Sequence, residues 1–158
     1  MIKKYVYGDP FFTDAVVKDI EKSEDKLPYF DVKDGVFIYA LSEDDIVYGL
    51  GEQIRGINKR GWQYVSWNYD NPNHHEDTRS LYGSHNFIII CGKQTFGAFF
   101  DYAGRMEFDI GYTKRSLMQI KPEKNDIAVY IITGENEKDI VKQFRQLIGR
   151  SYIPPFWA

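Results

Sequence analysis

The sequence predicts an all-β protein, an antiparallel sandwich or barrel, with one C-terminal α-helix. Three observations carry this. Five apolar runs, NFIIICG, TFGAFFD, MEFDI, SLMQIK and IAVYII, follow one another at spacings of about ten residues, the rhythm of short strands joined by turns. Two further β-branched and aromatic runs, IKKYVY at 2–7 and VFIYAL at 36–41, are flanked by turn formers such as Gly8, Asp9, Pro10, Asp34 and Gly35. Only after Asn136 does the apolar period become helical.

Taken in order, residues 2–7 read as a strand. The stretch KDIEKSEDKLPYF is charged and interrupted by Pro28, so it reads as a mix of exposed strand and loop before the strand at 36–41. LSEDD turns the chain into IVYGLGE. FIIIC is apolar at consecutive positions, which suits a central strand covered on both faces, and Gly92 and Lys93 make a tight, hairpin-like link to the next strand. MEFDI alternates, so it should keep one wet face. At the end, Ile140, Val141, Phe144, Leu147 and Ile148 form one helical stripe. Asn136 is placed as N-cap, Asp139 suits the positive end of the helix dipole, and Gly149 supplies the stop.

At 158 residues the chain fits one domain with a core large enough to need no disulfides. Charged groups make up 27% of it and the formal net charge is -3, a balance without the clustered Lys and Arg that nucleic acid requires. Cys91, the single cysteine, lies in the apolar FIIICG run and reads as a small buried hydrophobe. Gly8, Asp9 and Pro10 interrupt the start of the chain before a signal peptide could form, and no run approaches the ~20 apolar residues of a spanning helix. A cytoplasmic protein with no membrane partner is expected. The tail IPPFWA would expose Ile153, Phe156 and Trp157 unless something packed on it; either the tail folds back, or the chain was cut from a longer protein.

The chemistry concentrates between Tyr48 and Ser84, where glycines, aromatics and polar groups crowd together. An exposed Trp or Tyr beside Asp, Asn and His offers a ring and hydrogen-bonding groups, the equipment for holding a sugar. Glu52, Asp70, Glu76 and Asp77 are carboxylates, but no spacing rule pairs them for glycoside hydrolysis. His74 and His75 are adjacent and point apart on an extended segment, so no metal site is expected, and neither a phosphate loop nor a serine nucleophile elbow is present. If WNYD is a strand ending at Asn71-Pro72, Trp67 and Tyr69 share one face and Asn68 and Asp70 the other. The rings are then core with the polar pair in water, or Asp70 projects into a cleft where its carboxylate accepts sugar hydroxyls.

YGLGE (48–52), NKRG (58–61), WNYD (67–70), TRSLYGS (78–84), FGAFFD (96–101), FDIG (108–111) and the exit IGRSYIPPFWA resemble, in order, the amino-terminal domain of glycoside hydrolase family 31, over about residues 36–158. The family includes α-glucosidases and α-xylosidases. The resemblance implies a galactose-mutarotase-like β-sandwich over residues 1–150, with 151–158 linking it to a catalytic (β/α)₈ barrel that lies outside this chain. It implies a retaining mechanism whose aspartate nucleophile and aspartate acid/base both sit on the barrel, with no cofactor. The nucleophile motif reads Trp-x-Asp-Met-Asn-Glu; WNYDNP lacks Met-Asn-Glu, so Asp70 is not the nucleophile and this segment carries no catalytic residue.

What the resemblance assigns is a substrate-binding loop. Asp70 matches the WN-x-D aspartate that contacts the sugar on the leaving-group side of the scissile bond, and Trp67, Asn68 and Tyr69 shape the same loop. The implied partners are an oligosaccharide and the barrel of the same parent chain. His74 matches a frequent loop histidine without a catalytic role. Ser84-His85-Asn86 departs from the Ser-x-Pro of many relatives, and residues 1–35 match no family motif. A free-standing carbohydrate-binding module, an α-xylosidase domain and a mutarotase-like isomerase using a His and a Glu are the competing readings.

Overall fold

Among the described residues ten strands form, most of them because the run buries one face against a second sheet. The computed structural model describes residues 1–157; Ala158, expected at the domain boundary, lies outside the described residues. The strands are β1 (Ile2–Tyr7), β2 (Asp31–Lys33), β3 (Val36–Ala40), β4 (Ile46–Gly51), β5 (Trp62–Ser66), β6 (Ser84–Cys91), β7 (Phe96–Asp101), β8 (Met106–Ile110), β9 (Leu117–Pro122) and β10 (Ile127–Thr133). One helix, α1, spans Glu137–Ile148. One five-stranded sheet has the order β1-β10-β7-β6-β4 and the other β2-β3-β9-β8-β5. All pairings within the two sheets are antiparallel.

The layer between the sheets is aromatic. From β7, the Phe96 ring stacks on Tyr29 at 4.0 Å and meets Phe30 and Tyr39 edge-on, while Phe100 meets Phe30, Phe37 and Phe108. Ile88 and Ile90 of β6 join this layer, whereas Phe87 and Ile89 point the other way, into the layer under α1. That is why FIIIC is apolar at consecutive positions. Phe144 of α1 stacks on Phe87 at 3.8 Å, and Ile140 and Leu147 complete the buried stripe. Asn136 Oδ1 accepts the Asp139 amide at 3.0 Å as the N-cap, and Gly149, at φ 87°, ends the helix in a conformation that favours glycine. In β8, Met106, Phe108 and Ile110 are buried and Glu107 is exposed, the expected wet face.

Sheet edges left open would invite pairing with other chains, and loop groups hydrogen-bond to the β4 and β5 edges. On β4, Lys59 N donates to Val47 O and Val47 N donates to Asn58 Oδ1. Lys59 itself is nearly buried, its Nζ donating to Gly56 O at 3.0 Å, and burial holds its pKa below the ordinary value. Arg60 donates to the carbonyls of Ser42, Glu43, Asp45 and Arg115, tying the β3–β4 turn to the β8–β9 loop. The NKRG run is thus a structural knot. On β5, Val65 N donates to Arg79 O.

Three expectations need adjusting. Residues 18–30 supply only a bridge between Lys22 and Lys4, together with the buried Leu27 and Phe30, rather than a stretch of strand. The β6–β7 link runs over residues 92–95, wider than a two-residue turn. Among the described residues after α1 there is no regular strand or helix, and Tyr152, Ile153, Phe156 and Trp157 are exposed, so residues 152–157 do not fold back onto the sandwich.

Asp109 of the FDIG run shows how a β-turn is stabilised here. Its Oδ1 accepts the amides of Tyr112 and Thr113 at 3.0 and 3.1 Å, and its Oδ2 accepts Gln63 Nε2 at 2.9 Å and the Thr113 hydroxyl. Burial pushes its pKa up, but the hydrogen bonds to the charged form outweigh burial and hold the pKa below the ordinary 3.8. The unfolded chain therefore binds the proton first. The stabilisation is complete above the unfolded value and is lost as pH falls through the lower folded one. Asp109→Ala is expected to cost about 1–2 kcal/mol at pH 7, with the gap from the unsubstituted chain narrowing in urea melts carried below pH 3.8.

Candidate functional site

The strand registers bring three chain segments to one end of the sandwich. Ser66 of β5 lies opposite Met106 of β8, Gly51 of β4 lies opposite Ser84 of β6, and β7 ends there at Asp101. Residues 67–83 leave the sandwich at this end as one long loop. The WNYD run is not strand: β5 stops at Ser66 because its partner β8 begins only at Met106, so the ladder has nothing further to pair with. Trp67, Asn68, Tyr69 and Asp70 are all exposed, which overturns the reading of the rings as core and of Asn68 and Asp70 as one face of a strand.

The loop's neck is closed by four hydrogen bonds. Ser80, 5% exposed, donates its hydroxyl to Trp67 O at 2.6 Å. Ser84 N donates to Asn68 Oδ1 at 2.7 Å. Gly83 N donates to Glu52 Oε2 at 3.0 Å, and Glu52 N donates to Gly83 O at 2.8 Å. At the tip, Asn71 Oδ1 accepts Asn73 N and Thr78 Oγ1 accepts His75 N, local turns that stiffen a segment with no sheet to lean on. Asn68 thus acts first as a fastening, and Glu52, one of the candidate acids, as another.

Beyond the neck the loop displays rings and one carboxylate. Trp67 is 50% exposed and Tyr69 and Tyr82 are each 45% exposed, an unusual density of large exposed rings on one segment. Asn71 Nδ2 donates to the Tyr69 hydroxyl at 3.3 Å. The Tyr82 phenol titrates above its ordinary value, through desolvation first and then through the neighbouring charges of Asp70 and Glu52. The sequence singled out Tyr82 only as one aromatic among several. Its nearness to Asp70 depends on the chain doubling back from residue 70 to residue 82, which no local pattern announces.

His74 and His75 are exposed, with His74 Nδ1 3.4 Å from Asn71 O. Among the described residues no three His, Cys, Asp or Glu side chains come together as a metal site, and no helix is long and apolar enough to cross a membrane. Cys91 is half-buried beside α1, where burial, then Glu137, pushes its thiol up to about 12. Chemically, the loop can stack a flat apolar face on a ring and accept hydroxyl protons at a carboxylate.

Two antiparallel five-stranded sheets, closed by one helix and carrying this loop at one end, define a galactose mutarotase-like β-sandwich. The family profile of the glycosyl hydrolase 31 N-terminal galactose mutarotase-like domain matches residues 13–109, and the chain belongs to that family. The match starts well before residue 36, so part of the amino-terminal segment is also family sequence. α-Glucosidase 2 of Bacillus thermoamyloliquefaciens is 33% identical over 120 residues, covering 75% of this chain and 15% of that protein. The α-xylosidase XylQ of Lactiplantibacillus pentosus is 29% identical over 119 residues, again 75% of this chain and 15% of that protein. A family 31 dextranase of Flavobacterium johnsoniae, solved in complex with isomaltotriose, superposes with a TM-score of 0.71 at 27% identity, over 82% of this chain and 16% of that one. The chain therefore spans about a sixth of the length of these relatives.

Removing one fastening should loosen the loop without unfolding the sandwich. Asn68→Ala leaves the Ser84 amide without its partner, at a cost of about 1 kcal/mol. The expected result is faster proteolysis within residues 69–79 and faster amide exchange at Ser84, with a melting temperature lowered by only about 2–4 °C.

Proposed function

We propose that this chain is the amino-terminal sandwich of a retaining α-glucosidase that removes terminal α-linked glucose from oligosaccharides, and that its loop carries Asp70 to the leaving-group side of the scissile bond. One observation carries the reading. The Asp70 carboxylate is exposed on a loop fastened at its neck, with the exposed rings of Trp67 and Tyr69 in the same segment and Tyr82 beside it. A carboxylate sealed in the core could not reach a substrate; this one is free to accept its hydroxyls.

In this reading the division of labour is strict. The segment positions substrate and contains neither the nucleophile nor the acid/base, so alone it is inactive. Residues 151–158 lead to the barrel, and the exposed Tyr152, Ile153, Phe156 and Trp157 become covered there. Binding energy from the second sugar raises turnover only when the reacting bond is held in the same rigid frame. The similarity to an α-glucosidase and to a dextranase with a bound glucose oligomer supports a glucosyl substrate. The similarity to an α-xylosidase keeps xylosyl substrates as the second reading, and comparing aryl α-glucoside with aryl α-xyloside turnover by the complete enzyme separates the two.

The test of the loop uses the same complete enzyme. Asp70→Ala is expected to lower kcat/KM on a disaccharide by about ten- to a hundredfold, the worth of one charge-assisted hydrogen bond. On an aryl glucoside, which has no second sugar, the loss should be less than about threefold. Equal losses on both substrates would remove Asp70 from the leaving-group side.

A further inference from the structure

We propose that the outward face of α1 is a docking surface for an acidic face of the domain that follows the sandwich in the parent chain. The inference rests on the reading above of this chain as one domain of a longer enzyme. A groove of about 670 Å³ lies between this face and the chain that leaves the helix. Four cations line it, Lys138, Lys142, Arg145 and Arg150, with the exposed Val141 and Ile153 among them. No Asp or Glu occurs among the described residues of the lining. The whole chain carries a net charge of -3, so the stripe opposes the sign of the rest.

The stripe is more than a solvated helix face. Lys138, Lys142 and Arg145 stand at i, i+4 and i+7, opposite the buried Ile140, Phe144 and Leu147, so like charges are stacked where a helix in water gains from opposite ones. Lys138 also sits in the first turn, where the helix dipole favours acids; of these three only Arg145, in the last turn, is helped by it. The nearest acids are engaged elsewhere. Asp139 Oδ2 accepts Gln143 Nε2 at 3.1 Å and the Glu135 amide at 3.3 Å, and Glu137 lies beside the Cys91 thiol. Among the described residues no salt bridge engages Lys138, Lys142 or Arg145. A stripe that gives up local pairing at three successive positions leaves its cations for carboxylates from outside.

These groups also select the occupant. Cations around Val141 and Ile153 match a partner with carboxylates around an apolar patch, the anatomy of a protein interface and not of a phosphate site. A second copy meeting the same face across a two-fold axis would set cations against cations. The following domain is placed to supply the acids. Gly149, Ser151 and Ile153 line the groove itself, so the chain leaves the sandwich along it, and Tyr152, Phe156 and Trp157 are exposed on the same stretch. The match to α-glucosidase 2 covers 15% of that protein, so on the proposed reading most of the parent emerges beside this face.

The experiment compares this 158-residue chain with the complete enzyme by lysine acetylation and by zero-length carbodiimide cross-linking, both read by mass spectrometry. Lys138 and Lys142 should acetylate at least about tenfold more slowly in the complete enzyme, and should cross-link to Asp or Glu side chains beyond residue 158. Raising NaCl from about 50 to about 500 mM should erase much of that protection. Lys142→Glu with Arg145→Glu should shift the melting of the 158-residue chain by less than about 2 °C, yet return Lys138 in the complete enzyme to the rate seen in that chain. Equal acetylation in the two proteins, cross-links confined to residues 1–158, or cross-links between copies would each overturn the proposal. The labelling is read on the unsubstituted proteins, so it decides the matter even if the double variant folds poorly. Asp70 is untouched throughout: failure here leaves its leaving-group role standing, and equal Asp70→Ala losses on both substrates leave this contact standing.

Discussion

The two sheets are held in register by the side chains that alternate along β7. Phe96, Ala98 and Phe100 point into the space between the sheets, and the two rings touch partners from the opposite sheet and from the segment that enters it. Large rings at fixed rotamers act as spacers, and losing one leaves a cavity worth about 3–5 kcal/mol. The same strand meets the helix on its other face through Gly97. A methyl group there would run into Ile140 of α1 and the Phe87 ring, so the helix approaches this closely only because the position is glycine. FGAFFD therefore encodes two packing distances at once. It also delivers Asp101 to the sandwich end from which the loop leaves.

That end is where the sheets' regularity gives out, and the reason is geometrical. β5 and β8 stop pairing at Ser66 and Met106, so the chain beyond has to satisfy its backbone in other ways. It does so with side chains: the Ser80 hydroxyl on Trp67 O, the Asn68 amide oxygen on Ser84 N, and Glu52 on Gly83 N. Loops this long are costly to order and are uncommon inside compact domains unless they have work to do. Closing the neck makes the two ends of the loop neighbours, so only the stretch between them remains to be ordered. The tip turns at Asn71 and Thr78 reduce that freedom further.

What could be read from the sequence follows from how local each cause is. FIIIC announced a strand buried on both faces because each residue carries its own evidence, and the helix announced itself through a stripe and an N-cap that are neighbours in sequence. The three exposed residues of β2 carry no apolar pattern and exist as strand only because β3 offers an edge. WQYVSWNYD stays rich in β-prone aromatics up to Tyr69, so its own residues could not say that the strand ends at Ser66; the length of β8 decides that. In the candidate site, the WNYD resemblance singles out Asp70 but not the Tyr82 ring beside it. Tyr82 comes near it through folding back of the chain, and the structural duty of Asn68 becomes visible only when Ser84 is placed beside it.

On the proposed reading, the fastened neck also explains how a contact supplied by one domain can help chemistry performed in another. A hydrogen bond to the second sugar helps turnover only by the part of its energy left after both partners are immobilised, and a free loop would forfeit much of that in ordering itself. Here the ordering is done during folding, by bonds that cost the substrate nothing. The carboxylate and rings then stand on a loop whose neck is already closed, and a displacement of about an ångström, enough to lose a large share of rate in such systems, is resisted by those hydrogen bonds rather than by substrate. The stability of the sandwich core and the reach of Asp70 are in this sense one mechanical property, transmitted through Ser80, Asn68 and Glu52.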